Sequence, residues 1–204
     1  MFYSCETNDH GLQYDPFKAC VVPRPIGWIS TLSAKGVANL SPFSFFNAIS
    51  EAPPMVMFTC NGHHIEGGEK DSVINARDTG EFVVNIVSYE LADAMNRSSA
   101  SVTRVVDEFD LAGVTKEQSR LVRAPRVKES PVHLECAVHQ IIELPCTQKT
   151  WTTRMVIGKV LGVHVRDSLI ADGMLRPELL RPVARMGYLD YAVADRVFQL
   201  ERPT

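Results

Sequence analysis

Cysteine is scarce in this 204-residue chain and shows no pairing pattern. There are five, Cys5, Cys20, Cys60, Cys136 and Cys146, an odd number with no CxxC spacing. That disfavours a disulfide framework or a structural zinc site and fits a reducing cytoplasm. Positive charge is not in excess either. The net charge is −3 and the isoelectric point about 6.1, which weighs against a partner made of nucleic acid or a membrane surface. No uncharged apolar run is long enough to span a bilayer. Residues 1–11, MFYSCETNDHG, lack the basic and apolar regions of a secretory signal, so a cytoplasmic protein is expected. Several motifs are also missing. Without GxGxxG a Rossmann dinucleotide site is not expected. Glu69 and Asp71 interrupt the Gly-Lys-Ser of a P-loop, and no GxSxG nucleophile elbow exists. No His, Asp or Glu spacing makes a convincing metal site, Glu66 beside His63 and His64 being the nearest approach.

What is present is apolar residues at 45% of the chain, enough for one sizeable core. We read residues 1–204 as a single domain with a polar arm over 1–15 and a wrapping tail over 175–204. Arg24 to Leu32 alternates like a strand, and the turn Ala34-Lys35-Gly36 sends a second strand back from Val37. Pro54 to Cys60 is a continuous apolar run, readable as a buried strand. The period then changes. A short helix is expected from Asp71, stopped by Thr79-Gly80, followed by a strand over Glu81–Val87 and a second helix over Tyr89–Ser98. Asp107 to Asp110 reads as a loop. Two long strands come later, Val132–Leu144 and Arg154–Val165, with bends or bulges at Gly158 and Gly162. About six strands joined by hairpins, with two short helices, favour a mainly β fold: an antiparallel barrel with a few short flanking helices.

Two segments could carry chemistry. Gly67-Gly68 leads to Lys70-Asp71-Ser72 at a helix start, where free backbone donors favour an anion. The same residues fit a plain capped helix with Lys70 in solvent, and the loop alone does not choose. Asp71 beside a phosphate would repel it, so its carboxylate is expected to cap the helix and point away. Trp28, Phe43, Phe45 and Phe46 offer flat apolar walls, with Ser41, Ser44 and Asn47 interleaved. They suit a planar ring with a polar edge, or an ordinary aromatic core.

In order along the chain, Arg24-Pro25-Ile26-Gly27-Trp28-Ile29-Ser30-Thr31, Asn39-Leu40-Ser41-Pro42-Phe43-Ser44-Phe45-Phe46, Lys70-Asp71-Ser72 and Thr79-Gly80-Glu81-Phe82-Val83-Val84-Asn85 resemble the flavin reductase-like family. Ser130 to Cys136 and Arg185-Met186-Gly187-Tyr188 with Tyr191 extend the likeness over about residues 10–195. The family pattern has a Thr where Ser72 stands and a Gly-Gly pair where Met186-Gly187 stands. The resemblance implies a Greek-key split β-barrel that binds FMN near the interface of a homodimer. The activity it implies is hydride transfer from NAD(P)H to flavin, with a small-molecule substrate and an oxygenase partner. The alternatives are an FMN-dependent oxidase or oxygenase acting directly on an organic substrate, and a non-catalytic flavin carrier. By position, Trp28, Ser30 and Thr31 would line the cofactor. Phe43, Ser44, Phe45, Phe46 and Asn47 would meet its rings and ribityl chain, and Cys60 and Asn61 would flank it. Lys70 and Ser72 would hold its phosphate. His63, His64, Arg185 and Tyr188 would lie on the substrate side. No side chain need act as acid or base, because the cofactor does the chemistry.

Overall fold

Seven strands form one antiparallel sheet in the computed structural model, which describes residues 1–203. In chain order they are β1 (Gly27–Leu32), β2 (Ala38–Phe43), β3 (Phe46–Glu51), β4 (Pro54–Gly62), β5 (Glu81–Ile86), β6 (Val132–Leu144) and β7 (Thr152–Val165). Their spatial order is β2-β1-β5-β6-β7-β4-β3. The hairpins β1–β2 and β3–β4 therefore sit at opposite edges, with the β5–β6–β7 meander between them. Yet β2 and β3 are joined by only Ser44 and Phe45. So short a link between opposite edges is possible only if the sheet curls round until those edges meet. They meet without pairing, and the barrel is split there.

The chain turns where the sequence dictates. Ser33 donates to the Val37 carbonyl at 2.8 Å across the first hairpin. Gly36 has a φ of 83°, and without a side chain that costs little. The pairing of β6 with β7 shifts register between Ile157 and Gly158 and between Val160 and Gly162, at the two expected glycines. A side chain on Gly158 would run into Phe82, so the glycine also admits that ring.

Two cores follow from the alternation of the strands. Ile29, Phe43, Phe58, Phe82, Cys136 and Val156 fill the barrel. Helix α1 (Asp71–Thr79) adds Val73 and Ala76, and it ends at Gly80, whose φ of 73° forms a left-handed cap. On the other face of the first hairpin, Trp28 and Leu40 pack with Met95 from helix α2 (Ala92–Arg97) and with Phe109 and Ala112 from helix α3 (Glu108–Ala112). Helix α3 replaces the loop expected at Asp107–Asp110. Asp107 is its N-cap, accepting the Phe109 N–H, and Gly113 with φ 70° closes it. The strand β3 was also not expected. All but its first residue are exposed, so no apolar alternation marks it.

The head of the first motif and the tail meet in a small sheet. Arg24–Pro25 pairs with Val183–Arg185, which pairs with Tyr191–Val193. No helix among the described residues is long and apolar enough to cross a membrane.

Candidate functional site

The free edge of β2 carries the site. Its backbone has β1 on one side and the split on the other, and Pro42, which has no N–H to leave unpaired, suits such an edge. Glu108 covers part of it, its Oε2 accepting the Leu40 N–H at 3.2 Å. Two of the cavities along this edge share Ser99 in their walls.

The smaller, about 70 Å³, is a polar recess at the start of α1, where Lys70, Ser72, His63, His64 and Ser41 converge. Lys70 is the N-cap, no side chain caps the helix, and Lys70 enters no ion pair among the described residues. The Asp71 and Ser72 N–H groups are thus free to meet an anion, the Val73 N–H already bonding the Lys70 carbonyl at 3.0 Å. Two carboxylates border the recess, and both are engaged. Asp71 pairs with Arg104 and lies 3.4 Å from His64 Nε2. These partners hold it at the border of the recess, and it does not cap the helix as expected. Arg104 also donates to the carbonyls of Gly67 at 3.0 Å and Glu69 at 3.1 Å, pinning the glycine loop. Glu108 accepts the Asn39 amide at 2.9 Å. Burial pushes the Glu108 carboxyl above its usual range, and these hydrogen bonds oppose the shift.

This network assigns protons. Asn39 must turn its NH₂ toward Glu108, which leaves its Oδ1 as an acceptor. The Ser72 hydroxyl donates to that oxygen at 2.8 Å. Its single proton is committed, so Ser72 is not a free donor to a phosphate. His64 is likewise fixed. Its Nδ1 accepts the Glu66 N–H at 3.0 Å, which places the ring proton on Nε2 facing Asp71. Burial first, and then Arg104, hold its pKa below the ordinary 6.5.

The larger cavity, about 460 Å³, is lined by Ser44 and Phe45 from the β2–β3 link and by Arg185, Tyr188 and Tyr191 from the tail. Tyr14, Lys18 and Arg24 contribute from the N-terminal side. Ser44 and Phe45 thus line this cavity beside the split, and Arg185 and Tyr188 face the same space.

Other expected residues lie elsewhere. Trp28 has no exposed surface, and its indole N–H bonds Ser98 Oγ at 2.8 Å inside the outer core. Ser30 is fully buried, donating to the Pro125 carbonyl at 2.5 Å and accepting from Asn85 at 3.1 Å. Thr31 is fully buried under α1, accepting from Asn75 at 3.1 Å. Phe43 and Phe46 are barrel core, and a Cβ on Gly27 would come within 2.6 Å of Phe46. Asn47 is exposed and bonds its neighbour Ala48. Cys60 is buried, its thiol pushed up to about 11 by burial, while Asn61 is half-buried on β4 opposite Thr153. The alternation of β1 and β2 explains these placements: positions assigned to a ligand belong to the two cores. His63 and His64 lie at the recess rather than in the larger cavity. Sequence reasoning missed Asn39, Glu108, Ser99, Arg24 and Tyr14 as lining residues. Only Arg24 and Asn39, at the heads of the first two motifs, and Asp107, a legible cap that places Glu108, carried a signal.

The comparisons with known proteins agree with the fold. A protein of Aquifex aeolicus described as uncharacterized is 35% identical over 195 residues, 95% of this chain and 96% of that one. Among solved structures, nitrilotriacetate monooxygenase component B from Bacillus cereus superposes with a TM-score of 0.88 at 28% identity, covering 98% of both chains. The 2-nitrobenzoate 2-nitroreductase of Pseudomonas fluorescens gives 0.84 at 25% identity, covering 100% of this chain and 97% of its own. A model of the flavin reductase like domain matches residues 19–179, and the chain belongs to the flavin reductase-like family.

Proposed function

We propose that this protein binds FMN along the split and transfers hydride from NAD(P)H to it, as a homodimer in the cytoplasm. The observation that carries the reading is the pairing of an uncapped helix start and unpaired lysine with an aromatic cavity, along one free strand edge. The recess is small and polar, suiting one terminal phosphate. The uncapped N–H groups of α1 and the Lys70 ammonium would hold it, with Ser72 bracing Asn39 instead of touching it. Ser41, Ser99 and Ser44 follow in the direction of the larger cavity and can bond a polyhydroxyl chain. Phe45 would flank the ring system and keep water from it. The chemistry supplied by the bound flavin is uptake of hydride from the nicotinamide and onward transfer of electrons. The protein's part is to orient the two reactants and exclude solvent.

The likeness to a monooxygenase component B supports an oxygenase as recipient of the electrons. Exposed Leu161, Val163, Ile170, Met174 and Leu179 support a second copy of the chain as a partner. The test is a fluorescence titration of the purified protein with FMN, followed by NADH or NADPH under nitrogen. Saturable binding and bleaching of the flavin absorbance are expected. Protein that stays colourless and leaves added FMN unquenched overturns the reading, and tight flavin that neither nucleotide reduces overturns the reductase part of it.

A further inference from the structure

We propose that the Arg24–Arg185 end of the larger cavity is an anion subsite, taking the carboxylate of a small planar substrate beside the space that the flavin ring would fill at Phe45. Its place beside a redox cofactor rests on the flavin reading; its charge does not. The register of the small sheet sets Arg24 directly opposite Arg185, and Arg185 directly opposite Tyr191. Like charges facing each other across paired strands are destabilising, so the arrangement calls for a counter-charge. None is built in. Arg24 is only 7% exposed, yet its terminal nitrogens donate solely to main-chain carbonyls, those of Lys18, Val21 at 2.7 Å and Met186 at 3.0 Å. Its Nε is buried with no partner at all. Arg185 donates to the Tyr191 hydroxyl and the Tyr188 carbonyl, again neutral acceptors. Neither arginine, nor Lys18, enters an ion pair with a carboxylate among the described residues.

A buried cation without a counter-ion is costly to keep. One carboxylate, Asp15, also lines the cavity, and one of its oxygens takes the Phe17 N–H at 2.9 Å. The cations therefore outnumber the anions. The walls are aromatic: the Arg24 guanidinium lies 6.0 Å from the Phe45 ring centre, and the Tyr14 and Tyr188 rings are 5.7 Å apart. Tyr188 is held at a φ of 55°, a left-handed backbone that a bulky residue seldom adopts, with its carbonyl turned to Arg185. About 460 Å³ accommodates a small organic molecule. Planar guanidinium groups match the two oxygens of a carboxylate, and flat rings match a flat body.

The experiment is a calorimetric titration of the purified protein with benzoate and with benzamide, its neutral counterpart, in the presence and absence of FMN. Saturable benzoate binding is expected, with benzamide about tenfold weaker or more. Arg185→Gln should lose about tenfold in benzoate affinity, as removal of a charge-assisted bond predicts, and Arg185→Lys should recover part of it. A thermal melt of each variant confirms that it folds. Equal binding of benzamide, no benzoate binding, or a benzoate affinity indifferent to Arg185→Gln overturns the proposal. ADP-ribose carries a pyrophosphate and no carboxylate. If it displaces benzoate and itself depends on Arg185, the cavity serves the dinucleotide's phosphates and the carboxylate assignment falls. Selective benzoate binding by a protein that ignores FMN sustains the subsite and sinks the flavin reading. FMN binding without benzoate selectivity does the reverse.

Discussion

At the Lys70 end of the cleft the buried polar side chains are all partnered, whereas at the Arg24 end two arginines face each other and hydrogen-bond only to carbonyls and a tyrosine hydroxyl. The first end is made by barrel strands and a nine-residue helix that pack whether or not a ligand comes. The second is made by a three-stranded sheet that joins residue 24 to residues 183–193. The contrast teaches that one end surrounds its half-buried lysine and uncapped helix start with a complete network of buried side chains, while the other leaves a buried cation itself without a counter-charge that a ligand can supply.

The strongest way to break this contrast is to spoil the complete end. Asn39→Leu leaves the buried Glu108 carboxylate, Ser72 and Thr31 short of partners at once, and should cost about 3 kcal/mol of stability in urea unfolding. A cost under about 1 kcal/mol would show that the network is not holding the helix start.

Acid is the next test. Burial lowers the His133 pKa to about 4, and His64 is also held below 6.5. The unfolded chain therefore takes up these protons first on acidification. Stability should be full above about pH 6.5, fall between 6.5 and 4, and level off with respect to His133 below 4. The His133 share is on the order of 3 kcal/mol. Guanidinium groups keep their charge over this window, so benzoate affinity measured on folded protein should stay flat at least to pH 5. Urea melts at pH 5 and 7.5, with His133→Gln as the variant that flattens the difference, check this.

The two ends should also separate by ligand. Lys70→Met is expected to weaken FMN about tenfold to a hundredfold, the worth of a charged hydrogen bond, while Arg185→Gln leaves FMN within about threefold. Equal losses from both would erase the division between phosphate end and substrate end. The smallest effect is expected from Ser72→Ala. Because its proton already serves Asn39, FMN affinity should change less than about threefold, with a stability loss of about 1 kcal/mol. A large FMN loss would return Ser72 to the phosphate.

The sequence made the framework legible where one local rule governs a segment. The helix starting at Asp71 and stopped by Gly80, the long strands and the bulges at Gly158 and Gly162 all stand where alternation and glycine put them. Strand β3 was illegible because both its faces are wet after Phe46. The site was legible only in part. Ser44, Phe45, Lys70, Arg185 and Tyr188 line cavities, but Trp28, Ser30 and Thr31 share the same motif and are buried by cores on opposite faces of one strand. Motif spelling does not say which face a residue takes. The Arg24–Arg185 pairing was beyond reach for another reason: it depends on a register between segments about 160 residues apart, which no local pattern encodes.

The two residues between β2 and β3 act as a gauge of length. Inserting one more beside Ser44 would turn Phe46 to the face that Asn47 now takes, drawing its ring out of the barrel, or else slip β3 along β4. A change in the number of residues at this seam should therefore disturb the barrel more than a substitution within it.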